Sequence, residues 1–235
     1  MLPFNFFYDP TYSLVIIGML ISAAASSYVQ STFKKYSNFK NQLGYNGSQI
    51  ARIILDQSGL QDVRIERVPG HLTDHYDPRG KVLRLSDATA QSTSVSSIGV
   101  AAHEAGHAMQ DRDGYVLMKF RTTLVPLTNF GQTFAFPIIL FGLFFGPNQT
   151  MLNIGLILFS LTFLFQMVTL PVEFDASKRA MQTLKNHRLL SPTELPMAAN
   201  VLRAAALTYI AAAIASFLSL LRLFLLFGNR GNRRN

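Results

Sequence analysis

The sequence contains no cysteine and few charged residues. Because cysteine is absent from all 235 residues, the chain forms neither a disulfide framework nor a thiolate metal site. Any metal ion must therefore be held by His, Asp or Glu. Charged residues make up 14% of the chain, well below the roughly 25% found in soluble domains. Apolar residues are concentrated in blocks, which indicates membrane spans rather than one large soluble core.

Four uncharged, largely apolar segments are long enough to cross a bilayer. They cover residues 11–33, 124–145, 151–170 and 204–221. The sequence Gly-Pro-Asn-Gln at 146–149 separates the second segment from the third, which predicts a transmembrane hairpin with a very short turn. No basic residue precedes the first segment, which favours an uncleaved anchor over a removed signal peptide.

Basic residues beside the spans predict the orientation of the chain. Lys34, Lys35 and Lys40 follow the first span, so the positive-inside rule places the next part in the cytoplasm and the N-terminus outside. Four spans then leave a basic tail outside, which conflicts with the positive-inside rule. A last segment that only re-enters the membrane would remove this conflict. The net charge of +8 does not indicate nucleic-acid binding, because these residues form no patch interleaved with aromatics.

The segment 34–121 predicts a small soluble α+β portion. Asn46 is a helix cap, and Gly59 ends the helix that follows. Residues 63–68 and 81–85 predict two short strands. The second of these is a candidate edge to which an extended peptide adds main-chain hydrogen bonds; the alternative is a core strand.

The strongest chemical signal is His-Glu-x-x-His at 103–107. His103 and His107 lie four residues apart, so a helix places both imidazoles on one face, where they can share a zinc ion. Glu104 is placed to take a proton from a zinc-bound water. The alternative is an ordinary amphipathic helix that carries two histidines. Gly106 costs this helix about 1 kcal/mol, which a close backbone approach would explain.

A catalytic zinc usually has a third protein ligand and one open position. After Glu104 the sequence has two glutamates, Glu173 and Glu194. Glu173 leaves the hairpin on the same membrane side as the zinc helix, so folding of the hairpin favours it as the ligand. The alternative is a membrane-boundary carboxylate that pairs with Lys178 or Arg179.

Three motifs together resemble the YugP-type family of bacterial membrane zinc metallopeptidases. They are Ala-Ala-His-Glu-Ala-Gly-His-Ala, Leu-Thr-Asp-His-Tyr-Asp-Pro and Leu-Pro-Val-Glu-Phe-Asp-Ala-Ser. The chain is more distantly similar to the HtpX-like and CAAX prenyl membrane proteases. The resemblance implies His103, His107 and Glu173 as zinc ligands and Glu104 as the base. Ser177 stands where the distant relatives carry an Asp. The hydrogen-bond partner that this Asp provides to a zinc ligand in those relatives is therefore replaced by a different side chain here.

The loop before the second strand supplies further candidates. His75 and Tyr76 are candidates for stabilising the oxyanion or contacting substrate. The alternative is a loop held by hydrogen bonds of its own carboxylates. Asp74 is a candidate for orienting a ligand histidine. Asp175 points away from Glu173 on a helix, so it is a candidate for a hydrogen bond to a ligand or for a purely structural contact.

The sequence thus predicts a mostly α integral membrane protein with about four transmembrane helices and a small α+β zincin-like (gluzincin) catalytic portion. The expected segments are an anchor (1–33), a zincin-like part (34–121), a hairpin (122–172), a helical segment with the third ligand (173–203) and a last span with a basic tail (204–235). The expected function is a peptidase of the bacterial plasma membrane, with one Zn²⁺ per chain, a polypeptide substrate and an active site on the cytoplasmic face. The alternatives are a non-catalytic zinc-binding scaffold and a zinc-dependent amide or lipid hydrolase.

Overall fold

The computed structural model describes residues 9–144 and 148–228 of the chain. Long helices dominate this part, and three short strands form one sheet, as the sequence predicts. The elements in chain order are α1 (Tyr12–Ser37), α2 (Gly47–Gln57), β1 (Arg64–Val68), β2 (His75–Asp77), β3 (Val82–Ser86), α3 (Asp87–Ala90), α4 (Val95–Arg112), α5 (Val116–Phe144), α6 (Gln149–Asn186) and α7 (Leu195–Phe227).

The helices α1, α5, α6 and α7 are each long and apolar enough to cross a membrane. The four predicted spans are therefore confirmed as helices of the required length. Helix α6 has 38 residues, or about 57 Å at 1.5 Å per residue, although a span needs only about 30 Å. It continues through Pro171 across the expected boundary between 172 and 173, so a single helix contains both the apolar span and the candidate third ligand. Residues 146 and 147 of the turn predicted at 146–149, and the basic residues 230, 233 and 234 of the tail, lie outside the described residues.

One compact unit combines the described parts of 1–25, 120–170 and 208–235. The two arms of the hairpin approach closely within it, since a Cβ on Gly131 would lie 2.7 Å from the carbonyl oxygen of Leu158. Arg222 is buried and pairs with Asp9 at 3.2 Å. This pair joins the beginning of α1 to the last turns of α7.

The second compact unit combines 26–119 with 171–207. Its helix α2 begins at the predicted place, because Asn46 and Gln49 form a reciprocal capping box with two bonds of 2.9 Å. Ile50 and Ile54 are fully buried on the apolar face of α2. Gly59 follows the helix with a φ of +72°, a conformation that glycine adopts without steric cost.

The sheet has the order β1-β3-β2, with β1 parallel and β2 antiparallel to β3. The expectation that residues 81–85 form an edge strand is wrong, because β3 is the central strand of this sheet. The two edges of the sheet are β1 and β2, and β2 lies in the polar loop for which the sequence predicts no strand. Its three residues are too few to produce a detectable alternation of apolar and polar side chains.

Candidate metal centre

The histidines of the motif share one face of α4. The helix begins at Ser94, whose hydroxyl accepts a bond from the backbone N–H of Ser97. The spacing of four residues brings the rings of His103 and His107 to a centroid separation of 4.8 Å. Local helix geometry alone therefore produces two of the candidate ligands side by side.

Helix α6 brings Glu173 to these rings. Its Oε2 lies 3.1 Å from Nε2 of His103 and 3.5 Å from Nε2 of His107. The ligand atoms of the three residues all lie within 4.8 Å of one another, and they form the one metal-binding group found in the described parts of the chain. Glu173 is only 2% exposed, so the carboxylate is held inside the protein. The guanidinium of Arg179, one of the two cations considered as partners of this carboxylate, pairs with Asp175.

Two of the three separations in this group match those expected between ligands of one zinc ion. Bonds of about 2.0–2.1 Å at tetrahedral angles place two ligand atoms about 3.3 Å apart, and the carboxylate oxygen of Glu173 lies 3.1 and 3.5 Å from the two imidazole nitrogens. Two imidazoles and one carboxylate are also a donor set that zinc prefers. Three protein ligands leave the fourth position of a tetrahedral site open.

Both histidines are also held through their second ring nitrogen. The hydroxyl of Ser177 lies 3.1 Å from Nδ1 of His103, and Oε1 of Gln110 lies 2.9 Å from Nδ1 of His107. These contacts direct Nε2 of each ring towards Glu173. Ser177 is among the site residues predicted from the sequence, whereas Gln110 is not. A signal for Gln110 does exist, because it is a polar residue placed almost one turn beyond a ligand on the same helix.

Asp175 reaches the site through Gln110. Its Oδ2 accepts hydrogen bonds from Nε2 of Gln110 at 2.9 Å and from Nε of Arg179 at 2.6 Å. Arg179 also pairs with Asp113, the residue that follows α4. Hydrogen bonds from Arg112 and Arg179 hold the pKa of Asp113 below its usual value. The polar contacts of the site thus extend from the ligands to the end of α4.

Glu104 is buried beside the candidate ligands. Burial raises the pKa of its carboxyl group to about 7, and the neighbouring His103 and a hydrogen bond from the backbone of Tyr76 partly oppose this rise. Its carboxylate interacts electrostatically with His103 and Glu173. A main-chain hydrogen bond from the edge strand β2 therefore reaches the carboxylate of Glu104.

The side chain of Tyr76 points to another partner. Its hydroxyl donates a 2.9 Å bond to Asp111 of α4, and burial together with this bond raises its pKa above the usual range. His75, the other residue expected to contact substrate, is exposed, and its Nδ1 lies 2.9 Å from the carbonyl oxygen of Thr73. The structure thus places the backbone of Tyr76 at the site, while its hydroxyl is bound to a carboxylate.

Two further carboxylates have structural contacts. Asp74 accepts bonds from the backbone and hydroxyl of Ser86 and from the hydroxyl of Thr89, and these bonds fasten its loop to β3 and α3. Glu194 accepts from the backbone N–H groups of Gln42 and Ser191, both at 2.7 Å. These bonds give Glu194, the second downstream glutamate, a role in joining two loops, and it is not a member of the metal-binding group found in the described residues.

The fold and site define a membrane protein with a buried two-histidine, one-carboxylate metal centre. A family model described as "putative neutral zinc metallopeptidase" matches residues 11–228, and the chain belongs to this family. It is also similar to a protein of Bacillus subtilis (strain 168) named "Putative membrane protease YugP", with 42% identity over 216 residues that cover 92% of this chain and 96% of that protein. No solved structure matches the chain.

Proposed function

We propose that this protein is a gluzincin-type endopeptidase that hydrolyses peptide bonds of membrane or membrane-proximal proteins. His103, His107 and Glu173 hold the zinc ion, and Glu104 is the general base. The active site faces the cytoplasm, because the basic residues after the first span and after the hairpin favour that side. The similarity to a relative named as a membrane protease supports a polypeptide substrate.

The observation that carries this proposal is the number of ligands. The metal-binding group found in the described residues has three members, whereas structural zinc sites are usually closed by four. An open position beside a buried glutamate is the arrangement that hydrolysis of an amide needs. A non-catalytic scaffold accounts for neither the open position nor Glu104.

The chemistry follows from the position of Glu104. When bound, zinc supplies a Lewis acid that lowers the pKa of water and polarises the scissile carbonyl. Glu104 accepts the proton of the attacking water and delivers it to the leaving nitrogen as the C–N bond breaks. The backbone hydrogen bond from Tyr76 favours the charged, proton-accepting form of Glu104.

The test compares the full chain with its Glu104→Gln variant in detergent or in liposomes. Zinc content and cleavage of casein and of a membrane-protein substrate are measured with and without chelator. We expect Glu104→Gln to keep stoichiometric zinc and to lose at least ~10²-fold in cleavage rate. Glu66→Gln is the matched control, because Glu66 is partly exposed on β1 and pairs with Arg84. This control should cleave at the normal rate.

The same assays separate the alternatives. A zinc-loaded wild-type protein that cleaves no polypeptide would contradict the proposal and favour the scaffold. Chelator-sensitive hydrolysis of a lipid or small amide, without cleavage of polypeptides, would favour the second alternative. Equal cleavage by wild type and Glu104→Gln would show that another group is the base.

A further inference from the structure

Gln110 is a fully buried polar residue that the proposed reaction does not use. It lies on α4 three residues after His107 and has no exposed surface. A buried amide strongly destabilises the folded protein unless its donors and its acceptor are paired. Its hydrogen bonds therefore constrain what surrounds it.

The partners of Gln110 determine which way its amide points. Nε2 lies 2.7 Å from the carbonyl oxygen of Val172 and 2.9 Å from Oδ2 of Asp175. The carbonyl group can only accept hydrogen bonds, and the Asp175 carboxylate is bound to the cationic Arg179, so it accepts as well. Both contacts require the NH₂ end of the amide. The oxygen Oε1 is then the atom that faces Nδ1 of His107 at 2.9 Å.

This orientation determines the tautomer of His107. An amide oxygen accepts but does not donate, so Nδ1 of His107 carries a proton and donates it to Gln110. In the neutral ring Nε2 is then unprotonated, and its lone pair points towards Glu173. By contrast, Ser177 contacts His103 through a hydroxyl that either donates or accepts, so that contact alone does not select a tautomer.

We propose that Gln110 is a positioning residue of the metal centre. It sets the tautomer of His107 and the position of Glu173. The second effect arises because Val172 directly precedes Glu173 on α6. The same amide thus holds the imidazole of His107 and the backbone next to the Glu173 carboxylate, on two helices that are distant in sequence. Asp175 fixes the NH₂ end and is itself held by Arg179.

The main test replaces Gln110 by Met, which is close in size but has no hydrogen-bonding amide. The zinc affinity of the purified full chain is measured by competition with a chelator of known affinity. We expect Gln110→Met to bind zinc roughly 10–100-fold more weakly, the usual effect of losing an outer partner of a ligand. Unchanged zinc affinity would overturn the proposal.

A matched control separates positioning from general stability. Asn41 is also a buried amide that donates to two backbone carbonyls, those of Tyr45 and Thr93, but its hydrogen bonds do not reach a ligand. Asn41→Ala should lower the melting temperature of the zinc-free protein while the folded fraction binds zinc with wild-type affinity. Equal losses of zinc affinity in Asn41→Ala and Gln110→Met would mean that Gln110 acts only through stability.

A measurement on the unaltered protein tests the tautomer without any variant. The NMR spectrum of zinc-loaded protein with ¹⁵N-labelled histidine shows which ring nitrogen carries a proton. We expect Nδ1 of His107 to show a one-bond coupling to hydrogen. Assignment comes from the loss of one signal in His107→Gln. A proton on Nε2 would refute the proposal. Because both readouts concern zinc binding, they stay informative even if no substrate is cleaved, so failure here is distinguishable from failure of the proposed peptidase function.

Discussion

Gly106 of α4 lies against the backbone of Ala176 on α6. A Cβ on Gly106 would be 2.5 Å from the carbonyl oxygen of Ala176, a distance at which the two helices would have to separate. Gly106 directly precedes His107, and Ala176 lies one turn after Glu173. A close backbone approach therefore explains the helix-propensity cost of this glycine, because only glycine allows the two ligand-bearing backbones to come this near.

The close approach predicts opposite effects for two glycines of the same helix. Gly106→Ala should destabilise the protein by about 1–3 kcal/mol, the usual cost of overpacking, and should weaken zinc binding. At Gly99 a Cβ would lie 3.6 Å from its nearest neighbour, Cβ of Ala198, which is an ordinary contact. Gly99→Ala should therefore gain up to about 1 kcal/mol from helix propensity. Denaturant unfolding of both variants checks this, and a stable Gly106→Ala with normal zinc affinity would contradict it.

Substitution of the two downstream glutamates should have different effects, on zinc affinity for Glu173 and on thermal stability for Glu194. Glu173→Gln should lose more zinc affinity than the roughly 10–100-fold expected for an outer partner, since it removes a charged oxygen from the metal-binding group. Glu194→Gln should bind zinc normally and melt at a lower temperature, because Glu194 holds two backbone N–H groups instead. Metal analysis after dialysis, combined with thermal melting, distinguishes them. Full zinc occupancy in Glu173→Gln would show that the third ligand is another residue.

Tyr76→Phe tests whether the hydroxyl takes part in the reaction. The substitution removes the bond to Asp111 but keeps the backbone hydrogen bond to Glu104. We expect a loss of about 1 kcal/mol in the free energy of unfolding and a cleavage rate within a few-fold of wild type. Loss of an oxyanion donor would instead lower the rate by roughly 10²–10³. A drop of that size in kcat would show that the hydroxyl of Tyr76 is the oxyanion donor.

The pair of Asp9 and Arg222 predicts the sidedness of the chain ends. Because the beginning of α1 and the last turns of α7 are joined by this pair, both ends should lie on one face of the membrane. Reporters fused in turn to the N-terminus and the C-terminus should give the same compartment, expected to be the outside. A cytoplasmic C-terminal reporter together with an external N-terminal one would contradict the arrangement of four spans.

Several features were predictable because they depend on nearby residues. The capping box at Asn46 and Gln49, the end of α2 at Gly59 and the four spans all follow from short patterns or from runs of apolar residues. Strand β2 and its position at the edge of the sheet were not predictable in this way. Its pairing with β3 depends on partners across a loop, and its three residues have no periodicity of their own.

The sequence by itself determined the metal chemistry and the membrane setting of this protein. The absence of cysteine and the spacing of His103 and His107 leave little choice of donors, because helix geometry makes residues four apart neighbours. Only the tertiary structure decided how Glu173 and Ser177 meet these histidines and how Gln110 meets Val172. Those contacts join residues of α4 and α6 that are separated by the whole hairpin. They depend on side-chain packing and hydrogen-bond satisfaction between two helices, which no local pattern encodes.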